Sequence, residues 1–314
     1  MNKKLTFLLT CSLITSMVFT SCIKKKANEV LEGRISLSGA FALYPLAAKW
    51  ANDFQKLHPG VTIDVEAGGA GKGIEDALNG SVDFGMLSRD VNSNEIKQGA
   101  FPVTVARDAI VLVINTSNPN YTQIMKHGMK RSDAFALWVK GEKRTWGQLL
   151  STSDKSKIDI YTRSDACGAA ETFAKWLGKK QEDLKGTSAF GDPGLVESIQ
   201  KDIHGIGMVN IAFAYDTQTL RPTPKLHPIP IDINEDGKIS PDENFYDKKS
   251  DLIKAILTGK YPSPPARCLY LVSKGKPKGV AKAFLRYILG DGQKINPLIG
   301  YISINTKKHE QSCF

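Results

Sequence analysis

The sequence predicts an α/β fold in which strands and amphipathic helices alternate along the chain. Strand-like runs either alternate polar and apolar residues, as in residues 61–65, or are wholly apolar, as in residues 109–114. The stretches between them carry apolar residues at spacings of three and four, which is the helical period. With 314 residues the chain is long enough for about two domains.

The first predicted strand is residues 34–37, and a turn at residues 38–40 follows it. The next helix has an apolar face formed by Leu43, Leu46, Ala47, Trp50 and Phe54. A strand at residues 61–65 runs into a glycine-rich turn and then into a helix that carries Ile74, Ala77 and Leu78. Residues 82–90 read as a buried strand that ends in polar residues. We therefore expect a largely parallel sheet with ligand loops at the strand ends.

Residues 162–173 form the turn to which we assign the candidate site. They follow a β-like run at residues 158–161 and lead into a helical pattern. The first N–H groups of a helix lack partners within it and, with the helix dipole, attract an anion. Gly168 allows close backbone approach, and Arg163 adds a two-pronged donor. The alternative is an ordinary turn in which Asp165 caps the helix.

The N-terminal residues 1–21 read as a signal peptide, with Lys3 and Lys4 before an apolar run. Small residues then precede Cys22, as in bacterial lipoprotein signals, so we expect a lipid on Cys22. The alternative is an unmodified cysteine near a conventional cleavage site. Residues 22–32 are polar and lysine-rich and read as a flexible tether.

Charge and cysteine content limit the classes of function. Without the signal peptide the formal net charge falls from +10 to +8, which suits an anionic ligand or an anionic membrane surface. No nucleic-acid-binding signature is present, so we expect no nucleic-acid partner. Beyond Cys22, the chain keeps Cys167, Cys268 and Cys313, whose spacing indicates neither a disulfide framework nor a metal-binding cysteine pair.

Residues 232–243 fit the calcium-loop pattern at every required position. The candidate ligands are Asp232, Asn234, Asp236, the carbonyl of Lys238, Ser240 and Glu243. Gly237 stands at the sharp turn, and Ile239 is the usual apolar anchor. We therefore expect a structural Ca2+ ion and no organic cofactor. The alternative is a polar turn before the next helix.

Several segments together resemble one protein family. They are residues 38–46, 69–74, 83–89, 138–146, 163–168 and the tail at 269–302. Their order is that of the phosphate-binding proteins of bacterial ABC uptake systems. The resemblance covers residues 33 to about 306.

The resemblance implies a two-lobe, type II periplasmic-binding-protein fold whose cleft holds the ligand and closes by a hinge. It places lobe 1 at residues 33–114 plus 262–314, and lobe 2 at residues 115–261. It also implies a monomeric receptor on the periplasmic side of the cell envelope that delivers phosphate to an inner-membrane ABC permease. The implied ligand-binding residues are Ala40, Phe41, Gly71, Lys72, Ser88, Arg89, Arg163, Asp165, Cys167, Gly168 and Ala169.

The chain departs from this family where hydroxyl groups are expected. Ala40, Phe41, Cys167 and Ala169 occupy such positions, and a glycine-loop serine is replaced by Ala70 or Gly71. The charge of the ligand is thus better specified than its identity, and sulfate or molybdate remain alternatives to phosphate.

A protonated phosphate benefits from a carboxylate acceptor. Asp165, Asp90 and Asp108 are the candidates. Arg89 could instead form an ion pair between the lobes, and Lys72 could be solvated.

Two other classes of function remain open. A Cys-dependent enzyme would use Cys167, because a thiol at a helix start beside Arg163 could have a depressed pKa. None of the histidines lies in a motif that pairs it with a cysteine, so we expect no enzyme. The third class is a lipoprotein that keeps the fold without transporting a solute.

Overall fold

A computed structural model describes residues 31–304. The predicted signal peptide, Cys22 and residues 23–30 of the tether lie outside the described residues, as does Cys313. The strands are β1 (Gly33–Gly39), β2 (Val61–Ala67), β3 (Phe84–Leu87), β4 (Ala100–Asn115), β5 (Met129–Lys130), β6 (Asp159–Arg163), β7 (Thr187–Ala189), β8 (Gly205–Asn210), β9 (Leu226–Pro228), β10 (Ile231–Asp232) and β11 (Ala266–Lys274).

Helices follow most of these strands, as the alternating pattern predicts. They are α1 (Tyr44–Leu57), α2 (Ala70–Asn79), α3 (Ser93–Lys97), α4 (Tyr121–His127), α5 (Arg131–Phe135), α6 (Trp146–Leu150), α7 (Gly168–Trp176), α8 (Gly191–Lys201), α9 (Ile211–Ala214), α10 (Lys249–Leu257) and α11 (Gly279–Leu289). Within residues 31–304, no helix is both long and apolar enough to cross a membrane.

The main sheet has the strand order β2-β1-β3-β11-β4-β8-β6-β7, and β9 also pairs with β4. Its outer parts are parallel, since β1 pairs with β2 and β3, and β6 pairs with β7 and β8, in the same direction. The central strands β4 and β11 are antiparallel to their neighbours. The sheet is therefore mixed, and the prediction of a largely parallel sheet is wrong at its centre. The reason is that β4 runs from one lobe into the other and β11 returns in the opposite direction.

Two hydrophobic cores confirm the predicted two-lobe α/β fold. The first contains Trp50 of α1 and Phe284 of α11, so the C-terminal part returns to the first lobe. The second contains Trp138 and Phe173. Strand β4 contributes to both cores, up to Ala106 in the first and from Ala109 in the second. By core packing, the second lobe thus begins inside β4, before the sequence-based boundary at residue 114.

Candidate anion-binding site

Most of the sequence-predicted site residues meet where the lobes touch. The turn after β1 contributes Phe41, whose ring lies over the Arg163 guanidinium at 5.5 Å. The start of α2 reaches the same turn of lobe 2, since the Gly71 N–H donates to the Ala166 carbonyl (3.3 Å). Ser88, after β3, lies against Gly168 at the start of α7. The structure therefore brings these residues together, and their role in ligand binding stays a prediction.

Arg163 is held by two carboxylates and is almost fully buried, with 1% of its side chain exposed. Its Nε and Nη2 donate to Asp165 (2.8 and 2.7 Å), and its Nη1 donates to Asp192 (2.7 Å). Burial disfavours the charged form, but the charges of Asp192 and Asp165 raise the pKa of Arg163 above its ordinary value. Arg163 is thus a permanent cation, and Asp165 chiefly orients it.

Phe41 fills space beside this arginine. Its ring packs edge-on against Phe190 with centroids 5.7 Å apart. It also lies so close to Gly191 that a β-carbon there would be 2.9 Å from the ring. The neighbouring Ala40 is buried and its N–H donates to the Met86 carbonyl (2.8 Å). With the lobes in this position, an aromatic side chain of lobe 1 therefore covers one face of the lobe 2 cation.

The N-terminus of α7 keeps free donors. Cys167 is the N-cap, and its Sγ accepts the Ala170 N–H at 3.5 Å. Within residues 31–304, the N–H groups of Gly168 and Ala169 have no hydrogen-bond partner. The start of α7 lies directly against the other lobe, because a β-carbon on Gly168 would lie 2.3 Å from the Ser88 carbonyl oxygen. Gly168 is therefore required for the lobes to come together here.

The surroundings of the Cys167 thiol disfavour its ionised form. Burial raises its pKa to about 11, and the nearby Arg163 charge only partly offsets this effect. A thiol with this pKa is protonated near neutral pH, and the thiolate is the nucleophile. This observation counts against the Cys-dependent alternative.

Lys72 and Arg89 are both paired with carboxylates, although Arg89 also lines a cavity with Gly71 and Cys167. Lys72 lies on the surface and forms ion pairs with Asp76 (2.8 Å) and Glu66 (3.4 Å), both in its own lobe. Arg89 binds Glu95 with both terminal nitrogens (3.0 and 2.6 Å), and its Nε lies 3.4 Å from Glu171 of α7. Arg89 therefore pairs chiefly with Glu95 in its own lobe, and its contact with Glu171 is the ion pair between the lobes that was the alternative interpretation of the sequence.

A buried network extends from Arg163 towards the crossing strands. Asp192 accepts the backbone and side-chain N–H groups of Asn210 (2.8 and 2.7 Å). Arg267 donates to Asn210 and to Asp108 (2.8 Å). Sequence reasoning missed Asp192, Asn210 and Arg267. One signal in the sequence could have indicated this network. Asp108 stands directly before a wholly apolar run, which predicts that it is buried, and a buried carboxylate requires a partner such as an arginine.

The other two candidate proton acceptors lie elsewhere. Asp108 is buried and bound to Arg267, and burial raises its pKa. Asp90 is exposed and accepts the Tyr270 hydroxyl (2.8 Å). Of the three carboxylates, only Asp165 belongs to the cluster around Arg163.

Comparison with known proteins is consistent with this geometry. A family model described as a PBP superfamily domain matches residues 26–292. The phosphate-binding protein PstS of Pseudomonas aeruginosa is 27% identical over 92% of this chain and 88% of its own. Protein SphX of Synechococcus elongatus is 23% identical over 88% of this chain and 79% of its own.

A solved structure shares the fold. It is a protein of Clostridium perfringens described as a phosphate ABC transporter substrate-binding protein with bound phosphate. The two structures have a TM-score of 0.70 at 21% identity, covering 87% of this chain and all of the other. The family match, spanning most of the chain, confirms the predicted resemblance: this chain belongs to the PBP superfamily and is similar to its phosphate-binding members.

Proposed function

We propose that this protein is the solute receptor of an ABC importer and captures phosphate between its lobes. The observation that carries the proposal is the meeting of the Arg163–Asp165 pair with the free N–H groups of α7 at the lobe interface. Relatives with phosphate-binding names support it. Charge-assisted hydrogen bonds suit a tetrahedral oxyanion and contribute roughly 1.5–3 kcal/mol each.

Access to this site requires the lobes to separate. Phe41 belongs to lobe 1 and Arg163 to lobe 2, so hinge opening withdraws the ring from the guanidinium. The guanidinium has five N–H donors, of which three are used by Asp165 and Asp192. The remaining donors, the N–H groups of Gly168 and Ala169 and the Ser88 hydroxyl would then bind the anion. Asp165 is the nearest acceptor for a phosphate proton.

The location of the receptor is part of the same proposal. The small residues before Cys22 are typical of a lipoprotein signal, and Cys22 would tether the mature protein to a membrane on the periplasmic side. The receptor would act as a monomer and hand its ligand to an inner-membrane permease. Residues 31–304 provide the two lobes that such a partner would contact.

Isothermal titration of the chain lacking residues 1–22 with phosphate, sulfate, molybdate and arsenate tests this proposal. We expect phosphate and arsenate to bind with similar affinity and sulfate more weakly, because Asp165 accepts a proton that sulfate lacks. Absence of binding by every oxyanion would contradict the proposal. Preference for sulfate or molybdate would keep the receptor and change its ligand.

A neighbouring cavity favours a second candidate ligand, a larger phosphorylated solute. The cavity has a volume of about 460 Å3 and lies between α7 and the crossing strands, and its basic side chains are Arg89, Arg107, Lys175 and Arg267. Within the described residues, the Arg107 guanidinium forms neither an ion pair nor a hydrogen bond. Cavities of ~300–1,000 Å3 hold ligands larger than inorganic phosphate. Glycerol phosphate is a suitable probe.

Arg107→Gln distinguishes the two candidates. If phosphate binds at Arg163, this variant keeps phosphate affinity within about twofold. If the cavity holds the physiological ligand, glycerol phosphate binds more tightly than phosphate, and Arg107→Gln weakens it by about tenfold. If the parent binds phosphate and glycerol phosphate equally and Arg107→Gln changes neither affinity, the cavity is excluded as the ligand site.

A further inference from the structure

The loop at residues 232–243 lies in the second lobe, and the proposed transport function does not use it. The first residue of the loop, Asp232, lies in strand β10 and pairs with Lys130 of β5. Farther along, the Ile239 N–H donates to the Lys126 carbonyl (2.8 Å), and the Ser132 hydroxyl donates to Glu235 (2.8 Å). The loop is thus fastened at several points to the segment that contains α4 and α5.

Hydrogen bonds from backbone N–H groups to side-chain oxygens run within the loop. Asp232 accepts the Gly237 N–H through Oδ2 (2.7 Å), Asn234 accepts the Asp236 N–H (3.0 Å), and Asp236 accepts the Lys238 N–H (2.8 Å). Gly237 has a φ of 84°, which favours glycine at this bend. These bonds shape the loop, but they do not by themselves identify a ligand.

Asp232 provides an independent observation. The residue is 1% exposed, and its Oδ1 is buried without a hydrogen-bond partner among the described residues. Its Oδ2 is bound to Gly237, so the carboxylate lies within the loop. An ionised carboxylate with an unsatisfied buried oxygen is unfavourable unless a cation or donor reaches it.

Protein cations do not meet this need. Among residues 31–304, no Lys or Arg forms an ion pair with Asp232, Asp236 or Glu243, whereas the exposed Asp242 of the same loop pairs with Lys260 (2.7 Å). The ammonium group of Lys130 lies on the Gly237 side of the loop, 3.4 Å from where a β-carbon would be. Three carboxylates at the spacing of a calcium loop thus form no ion pair with a lysine or arginine among the described residues.

We propose that this loop binds one calcium ion. Its ligands are Asp232 through Oδ1, Asn234, Asp236, the Lys238 carbonyl, Ser240 directly or through water, and Glu243. This oxygen set suits calcium, which takes about six to eight oxygens, better than magnesium, which retains several of its waters. The unsatisfied Asp232 oxygen thereby gains a partner.

Binding requires one side chain to move. No group of three or more acidic, histidine or cysteine side chains within residues 31–304 is already gathered around one point. Glu243 is instead bound by the Ile233 N–H (2.9 Å) and by the Ser240 N–H and hydroxyl (3.0 and 2.8 Å). Glu243 therefore exchanges one or more of these donors for the ion and closes the loop.

The ion acts as a structural clip for lobe 2. The residues on either side of the loop are joined in the core, because the Ile231 N–H donates to the Tyr246 hydroxyl (3.1 Å) and the Tyr215 hydroxyl donates to the Tyr246 carbonyl (2.7 Å). The hydrogen bonds of the loop described above all lie within lobe 2. Calcium is therefore expected to change stability and leave anion affinity unchanged.

Equilibrium dialysis with radioactive calcium and thermal unfolding of the purified chain, first freed of metal with EGTA, test the proposal. We expect one calcium ion per chain, a higher melting temperature with calcium, and a smaller effect from magnesium at the same concentration. Glu243→Gln should weaken calcium binding at least tenfold. Asp242→Asn is the matched control, because Asp242 belongs to the loop but pairs with Lys260, and it should bind calcium as the parent does.

A second ligand variant covers the case in which Glu243→Gln fails to fold. Asp236→Ala removes an exposed ligand and should also weaken calcium binding at least tenfold. Lack of calcium binding by the parent chain in dialysis, or full binding by both ligand variants, would overturn the proposal. An unchanged melting temperature with bound calcium would overturn the role as a clip.

Discussion

Helices α2 and α7 begin in similar ways, but their first N–H groups are used differently. Each helix follows a strand and a turn, and the two N-termini meet at the lobe interface. At α2, the Gly71 N–H donates to the Ala166 carbonyl, which belongs to the turn before α7. At α7, the N–H groups of Gly168 and Ala169 have no partner within residues 31–304. The turn that precedes one helix thus caps the other through Gly71, whereas the corresponding N–H of α7, that of Ala169, stays without a partner among the described residues.

The two helix starts also differ in what holds them in place. Gly69 precedes α2 with a φ of 92°, and a β-carbon there would lie 3.1 Å from an Asp165 oxygen. The turn before α7 is fixed by the buried Arg163–Asp165–Asp192 charges. A strand–turn–helix pattern therefore shows where donors arise, but the opposing lobe determines which of them remain available.

The largest expected effect is that of Arg163→Ala. The substitution leaves Asp165 and Asp192 buried without their cation, and removal of one partner of a buried pair costs about 3–5 kcal/mol. We expect the free energy of unfolding, measured by urea denaturation, to fall by this amount. Arg144→Ala is the control, since Arg144 makes an exposed bond to the Gly141 carbonyl. Equal stability of both variants would show that α7 needs no buried charges to hold its position.

Gly168→Ala and Gly71→Ala compare the two helix starts directly. The added β-carbon at Gly168 meets backbone at 2.3 Å, whereas at Gly71 it meets the Ala166 side chain at 3.3 Å. We expect Gly168→Ala to cost about 1–3 kcal/mol through overpacking and to weaken phosphate binding. Gly71→Ala should be neutral or stabilise by up to about 1 kcal/mol, because alanine favours helix. Urea denaturation and phosphate titration measure both, and similar effects at the two positions would remove the proposed difference.

Cys167→Ser should increase phosphate affinity by about fivefold, since one added hydrogen bond contributes roughly 1 kcal/mol. Serine is also a good N-cap, so the fold is expected to tolerate the change. Cys268→Ser is the matched control, because Cys268 lies in the neighbouring cavity. Isothermal titration with phosphate measures the affinity of both variants. A gain in the control alone would move the anion from α7 to the cavity.

The smallest effect concerns the reactivity of Cys167 with iodoacetamide. With a pKa raised to about 11, only ~0.1% of the thiol is ionised at pH 8, and this fraction rises about tenfold per pH unit until the pKa is reached. Peptide mapping of the native protein should therefore find Cys167 unmodified at pH 8 and increasingly modified at higher pH. Rapid modification at pH 8 would indicate that the helix dipole and Arg163 outweigh burial.

The sequence by itself determined the elements and the general location of the site. The strand at residues 61–65, the apolar run at residues 109–114 and the helix after Cys167 follow from side-chain period and turn chemistry, which are local properties. The same holds for the calcium-type spacing at residues 232–243, which no comparison tests and which remains a proposal. Family resemblance then supplied the two lobes and the cluster around Arg163.

Only the tertiary structure decided which charges are free. Lys72 and Arg89 look alike in sequence as anion ligands, yet each is neutralised by carboxylates that folding brings near. Arg163 is held by Asp192, and Asp108 by Arg267, over separations of 29 and 159 residues. The first pair depends on how β6 packs against α8 and the second on how β4 pairs with β11, and a local pattern carries no information about either. The physical reason is that electrostatic interactions act through space, whereas sequence periodicity reports only on neighbours along the chain.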